Sequence, residues 1–297
     1  MKTYGKGILY ALGAYTLWGV FPLYWHLITK VSAVEILAHR IFWSAIFMFI
    51  LAWYVYKIKL IPVLKNWKQM KYLLITGTLI SANWGVYIWA VNNNHVVDAS
   101  LGYYINPLIN VVLGYLFLNE RLNKLQRVAL FMALVGVTYL TIDYGKFPVI
   151  ALFLASTFAA YGLLRKKAKV DAVPALTIET ALVAPLALVF LISTFITNKS
   201  TYTFSDFSTL ILLLGAGPAT AIPLLLFGKA AETVPLSILG FVQYLSPTLQ
   251  LFIGLFICKE PFTSAHLICF SFIWFGLLLF SMSFSKKKEI IEDVIEI

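Results

Sequence analysis

Ten runs of predominantly apolar residues follow one another in this chain with only short breaks between them, near 7–25, 34–56, 71–91, 98–118, 126–142, 148–164, 174–196, 207–228, 236–257 and 264–284. Each has the roughly 17 to 25 residues that a helix needs to cross the hydrocarbon core of a bilayer. The pattern predicts an all-α polytopic membrane protein with ten transmembrane helices. Composition agrees: 61% of residues are hydrophobic, 12% are charged and the mean hydropathy is +0.86, whereas a soluble domain carries about a quarter charged residues. Lys2 and Lys6 precede the first run as they would in a signal peptide. That run is longer than a signal's apolar core and lacks a small-x-small exit, so it reads as a retained span.

The net charge of +10 does not point to nucleic acid, because the basic residues sit in the breaks between apolar runs. Of the 23 Lys and Arg, 18 fall on the side shared with the amino terminus and four opposite, with Arg40 inside a span. Under the positive-inside rule both termini are expected in the cytoplasm, which requires an even number of spans. The stretch 285–297 mixes Lys286 to Lys288 with Glu289, Glu292, Asp293 and Glu296 and is expected to be a solvated cytoplasmic tail. Cys258 and Cys269 both sit in apolar stretches without a partner motif and read as packing residues.

The chain also contains itself twice. Tyr104, Pro107, Gly114, Glu120 and Gly136 match Tyr244, Pro247, Gly254, Glu260 and Gly276 at one shift of 140 positions. A shift of 138 extends the match through Gly77/Gly215, Val96/Val234, Leu101/Leu239 and Gly102/Gly240. The repeats are expected at 1–146 and 147–284. Five spans is an odd number, so the copies must enter the membrane in opposite orientations. Inverted five-helix repeats are an architecture of alternating-access transporters, with the solute site near the midplane between the halves. A stable bundle built by duplication is the bland alternative.

Polar residues inside the runs supply the candidate site. Tyr103, Asn106 and Asn110 form one helical stripe, and their counterparts Gln243, Ser246 and Gln250 are also polar. They read as two facing walls of a cavity, or as interhelical hydrogen-bonding glue. Pro107 and Pro247 each leave the carbonyl four residues earlier without its helical partner and are candidate hinges. Arg40 aligns with Glu179 at a shift of 139, so a cation and an anion occupy equivalent places. An unpaired charge at membrane depth costs at least a few kcal/mol, so the two are expected either to pair or to meet a charged or zwitterionic solute, unless they snorkel to an interface. Asn83, Trp84 and Tyr87 add polar and aromatic groups in the third span. Trp18 and Tyr161, matched at a shift of 143, would suit an apolar or aromatic solute. Glu35, His39 and Glu179 are proton-coupling candidates. Trp25, Trp53, Tyr54 and Tyr56 are expected in the interfacial belt. No Gly-rich phosphate loop and no His-Glu-x-x-His pattern occurs, so no cofactor, metal or catalytic set is expected.

Trp18-Gly19, Glu35 to Arg40, Asn83-Trp84, Trp89 to Asn92, Ala99 to Leu108, Gly114, Glu120-Arg121, Arg165 to Lys167, Ile178 to Thr180, Gln243-Tyr244 and Pro247-Thr248 together resemble the RarD branch of the EamA permeases, in the drug/metabolite transporter superfamily. Asp98 stands where that pattern has a glutamate. The resemblance implies a bacterial inner-membrane permease, of a branch often linked by label to chloramphenicol, and the wider superfamily suggests metabolite export. The leading expectation is a secondary transporter of a small organic solute. A non-transporting receptor or scaffold is the alternative. The expected partners are that solute and membrane lipid, with nucleic acid excluded and a homodimer left open.

Overall fold

The computed structural model describes the backbone of residues 2–28, 31–55, 57, 60–93, 95–202, 206–258 and 263–295, and the side chains of these except at 2–3, 55, 88, 91–92, 96–98, 258 and 284–295. Glu260 and Tyr56 lie outside the described residues, as do the side chains of Asp98 and Cys258. The described chain is helical, in the order α1 (Lys2–His26), α2 (Ala33–Ile50), α3 (Ile61–Lys65), α4 (Trp67–Asn92), α5 (Val96–Leu118), α6 (Lys124–Tyr144), α7 (Val149–Ala168), α8 (Ala172–Ile196), α9 (Phe207–Thr233), α10 (Leu236–Gln243), α11 (Leu245–Ile253) and α12 (Ser264–Ile295). The breaks carry recognisable start and stop signals. Ser32, Asn66, Asn123 and Asp206 each accept a backbone N–H of the following helix, and Asn123 with Gln126 forms a capping box. Gly145 ends α6 at φ 72°, a left-handed conformation that glycine adopts without steric cost.

Among the described residues, nine helices are long and apolar enough to cross a membrane, one fewer than the sequence runs predict. α4 is the difference. It has 26 residues, and its side chains at 88 and 91–92 lie outside the described residues. The α12 backbone is helical through the basic run to Ile295. The two prolines act unequally. Pro247 follows a break at Tyr244 between α10 and α11, next to the carbonyl of Gln243 that its ring would crowd, whereas α5 runs through Pro107 without interruption.

Helix contacts come in matched sets. α1 packs on α9 and α7 on α4; α2 packs on α9 and α8 on α4; α1 meets α10 and α11, while α7 meets α5. α2 with α8, α5 with α10, and α6 with α12 complete the bundle. At the α6–α12 crossing, a Cβ on Gly136 would lie 2.8 Å from the Cys269 carbonyl oxygen, and one on Gly276 would lie 2.9 Å from that of Ala129. Residue numbers rise on one helix as they fall on the other, so the two run antiparallel through a small-residue contact that brings their backbones together.

Aromatic rings fill the bundle centre: Trp18 lies 5.6 Å from Tyr15, 5.7 Å from Phe158 and 6.0 Å from Phe227. Leu186, Val189, Phe195 and Ile196 of α8 face outward, an arrangement suited to lipid. Trp53 and Tyr54 are exposed, as a belt requires. Trp25, half-buried near the end of α1, packs its ring at right angles to Tyr24 and beneath Arg40.

The closest crossing places Gly217 of α9 on the α2 backbone, where an added Cβ would stand 2.5 Å from the carbonyl carbon of Trp43, and Ser44 Oγ donates to the Gly217 carbonyl at 3.0 Å. Gly217→Ala is therefore expected to cost about 1–3 kcal/mol. Thermal unfolding of the purified protein in detergent should show a lowered midpoint. Gly85→Ala, where nothing lies within 4 Å, should leave it unchanged or slightly raised.

Candidate functional site

The amide stripe forms a connection between α5, α7 and α10. Asn106 Nδ2 donates to the Ala155 carbonyl at 2.6 Å, and Asn110 Nδ2 donates to Asn106 Oδ1 at 2.9 Å and to Gln243 Oε1 at 3.2 Å. All three residues are buried. This is the glue reading of the stripe, since these amides are spent on protein partners. Asn83 is likewise engaged, donating to the Leu154 carbonyl at 2.8 Å and to Thr157 Oγ1 at 2.9 Å, which ties α4 to α7.

Farther along the same helices a cavity of about 300 Å³ opens between α5, α6, α11 and α12. Tyr103 and Tyr104 line it from α5, Pro247 and Gln250 from α11, Asp143 from the end of α6 and His266 from the start of α12. Gln250 Nε2 donates to the Trp18 carbonyl at 3.2 Å and to Ser246 Oγ at 3.4 Å. Along α5 the order is cavity, then the Asn106 and Asn110 ladder, then Glu120 just past the helix. Glu120 accepts from the backbone N–H groups of Leu236 at 2.7 Å and Ser237 at 2.8 Å, and from the Ser237 hydroxyl at 2.6 Å. A carboxylate thus caps the positive end of α10. Tyr103 therefore lies at the cavity and Glu120 at the opposite end of α5.

Arg40 and Glu179 do not pair with each other. Glu179, buried in α8, accepts from Thr76 Oγ1 of α4 at 2.6 Å and from the Tyr161 hydroxyl of α7 at 3.3 Å, and lies 3.8 Å from Arg165 Nη1. Arg165, which the sequence did not mark as a site residue, is buried and supplies the counter-charge. A space of about 20 Å³ beside Glu179, lined by Trp84, Tyr161 and Thr180, is room for about one water. Arg40 instead donates Nε–H to Thr220 Oγ1 at 3.0 Å, with its guanidinium carbon 4.6 Å from the Trp25 ring centre and 5.6 Å from that of Trp84. Tyr87 and Tyr103 are within electrostatic reach of the guanidinium, and their rings meet edge-on at 6.3 Å.

The remaining proton candidates are tied to a loop. Glu35 accepts from the Thr201 backbone N–H at 3.0 Å, from the Thr201 hydroxyl and from Ser32 Oγ at 3.0 Å. His39 Nδ1 accepts from Trp43 Nε1 at 3.1 Å, so its proton is on Nε2, facing the Tyr202 hydroxyl at 3.0 Å. Burial, and then the Glu35 carboxylate, push the Tyr202 phenol above its ordinary range, so it stays protonated. A second proton on His39 would displace the Trp43 bond. Among the described residues, no cluster of three His, Cys, Asp or Glu could hold a metal.

The family model of the EamA-like transporter family matches residues 5–142. An "Uncharacterized transporter YojE" of Bacillus subtilis (strain 168) is 44% identical over 95% of this chain and 96% of its own. "Protein RarD" of Escherichia coli (strain K12) is 41% identical over 93% and 94%. The chain belongs to the EamA-like transporter family, in its RarD branch. A more distant member, the "Chloramphenicol-sensitive protein RarD" of Pseudomonas aeruginosa, is 29% identical over 94% of each chain. A solved crystal structure superposes with a TM-score of 0.72 at 16% identity, over 93% of this chain and 96% of the other, a likeness of fold alone. Membership in this family, together with the nine apolar helices, makes the protein a multi-pass membrane transporter.

Removing only the Glu179 carboxylate would strand Arg165 as a buried cation, at a cost of about 3–5 kcal/mol. Glu179→Ala is therefore expected to lower the thermal midpoint sharply. Glu179→Gln, which can still meet Thr76 and Tyr161, should lower it less, and the double variant Arg165→Met/Glu179→Leu should recover much of the loss.

Proposed function

We propose that this protein is a secondary transporter that moves a small organic solute across the bacterial cytoplasmic membrane by alternating access. The observation that carries the reading is the cavity of about 300 Å³ beside Tyr103 and Gln250, with the Asn106–Asn110–Gln243 ladder and the Glu120 cap on α10 farther along the bundle. A volume of this size is at the lower end of the range for small-molecule sites. The moving parts are two inverted five-helix halves, 1–146 and 147–284, with α4 as the tenth span and both termini in the cytoplasm. The matched helix contacts and the antiparallel α6–α12 crossing support that division, and the basic residues of the breaks support the orientation.

In this reading the cavity faces outward and the Glu120 end faces the cytoplasm. Rocking would open the amide ladder, whose hydrogen bonds are exchanged for new ones in the opposite state, with the break at Tyr244 before Pro247 as the hinge. Glu179 is the proton-coupling candidate, because its carboxylate is buried against both a cation and the small space at the centre. The name of the Pseudomonas aeruginosa relative makes chloramphenicol a reasonable first probe.

Comparing released metabolites from cells with and without the protein should identify a solute whose export depends on it. The same solute should cross proteoliposome membranes several-fold faster than protein-free ones. Tight solute binding without any flux would instead make the protein a receptor.

A further inference from the structure

Arg40 differs from Arg165, whose Nε and Nη1 lack hydrogen-bond partners but whose charge is met by Glu179, in having no carboxylate against it among the described residues. The two carboxylates nearest to it in the sequence pattern are engaged elsewhere, Glu179 with Arg165 and Glu35 with Thr201 and Ser32. Among the described residues no carboxylate forms an ion pair with Arg40, and its terminal nitrogens have no acceptor. Its position is nevertheless fixed. Nε–H is used on Thr220 of α9, while Trp25 of α1 and Trp84 of α4 hold the guanidinium by cation–π attraction at 4.6 and 5.6 Å. A guanidinium fixed along its Nε edge presents the fork of its terminal N–H groups, which matches the two oxygens of a carboxylate.

Tyr87 and Tyr103, whose rings meet edge-on at 6.3 Å, are within electrostatic reach of this guanidinium. Tyr103 also lines the cavity of about 300 Å³, so one residue belongs to both the cation's surroundings and the open space. Building on the transport reading above, we propose that Arg40 is the docking point for the carboxylate of the transported solute, which makes the substrate a small carboxylic acid or zwitterion. The Trp25 and Trp84 rings hold the guanidinium, and the Tyr87 and Tyr103 hydroxyls complete the donor set around the second oxygen. An uncharged amide of the same shape offers only one acceptor oxygen and no charge, so it loses most of this interaction.

Purified protein in lipid nanodiscs can be tested by equilibrium binding of radiolabelled acetate, phenylacetate and phenylalanine against their amides at fixed ionic strength. At least one acid should bind about tenfold or more tightly than its amide. Arg40→Gln should remove that preference, and Arg40→Lys, which keeps the charge without the fork, should retain part of it. Should Arg40→Gln fail to fold, Tyr103→Phe and Thr220→Val each remove one hydroxyl from the surroundings and should weaken the preference by a few-fold. Equal binding of acids and amides, no binding of any acid, or a preference that survives Arg40→Gln, or both hydroxyl variants, would overturn the proposal. Acid binding without flux would leave this site standing and remove the transport reading. Flux that is indifferent to the carboxylate and to Arg40→Gln would do the reverse.

Discussion

A guanidinium and a carboxylate persist inside an apolar bundle only in company, and the contacts of Arg165 and Glu179 show how this protein places its polar groups. Their cluster takes one group from α4, two from α7 and one from α8, so satisfying the charges also fixes three helices against one another. The same constraint recurs in uncharged form. Asn83 ties α4 to α7, Ser44 ties α2 to α9, and the Asn106–Asn110–Gln243 ladder ties α5 to α7 and α10. With no water in the hydrocarbon to pair a stray donor, a polar side chain in a span is a cross-link between helices unless a solute or cavity takes its place. Arg40 follows that pattern through Nε–H on Thr220, which ties α2 to α9, and keeps its terminal nitrogens without an acceptor among the described residues.

Much of the fold was legible because membrane burial reduces the problem to length and hydropathy. The apolar runs reappear as helices, and the cap residues Ser32, Asn66, Asn123 and Asp206 stand where the runs begin. The matched glycines Gly136 and Gly276 took on a physical role once each was seen meeting the opposite backbone. The two prolines show the limit. Identical sequence logic applied to Pro107 and Pro247, yet only the second follows a broken helix, because tertiary packing decides whether a crowded carbonyl bends the chain or is accommodated.

The partners of the polar side chains in the spans were less legible. Periodicity correctly put Asn106 and Asn110 on one face, but it could not say whether that face met a cavity or another helix; it met α7 and α10. The alignment of Arg40 with Glu179 suggested a pair across the repeat, and the structure supplied Arg165 instead. Arg165 was hidden within Arg165-Lys166-Lys167, where positive-inside reasoning explains any basic residue without asking which one turns inward. Lys166, its neighbour, also turns in, donating to the Ala231 carbonyl at 2.9 Å. Trp25 was assigned to the belt because it lies at a span end, although its ring supports the Arg40 cation.

The account rests on two halves that exchange which side of the membrane is open. Spin labels at Asn123 and Lys169 would report the separation of the halves at the Glu120 end, and labels at Asn93 and Asn198 would report it at the other. All four residues are exposed in short connections or at helix ends. Pulsed electron–electron distance measurements in nanodiscs, with and without a transported solute, test the exchange directly. The account predicts reciprocal shifts, one pair lengthening as the other shortens. Two distances that stay fixed while solute is being transported would contradict it.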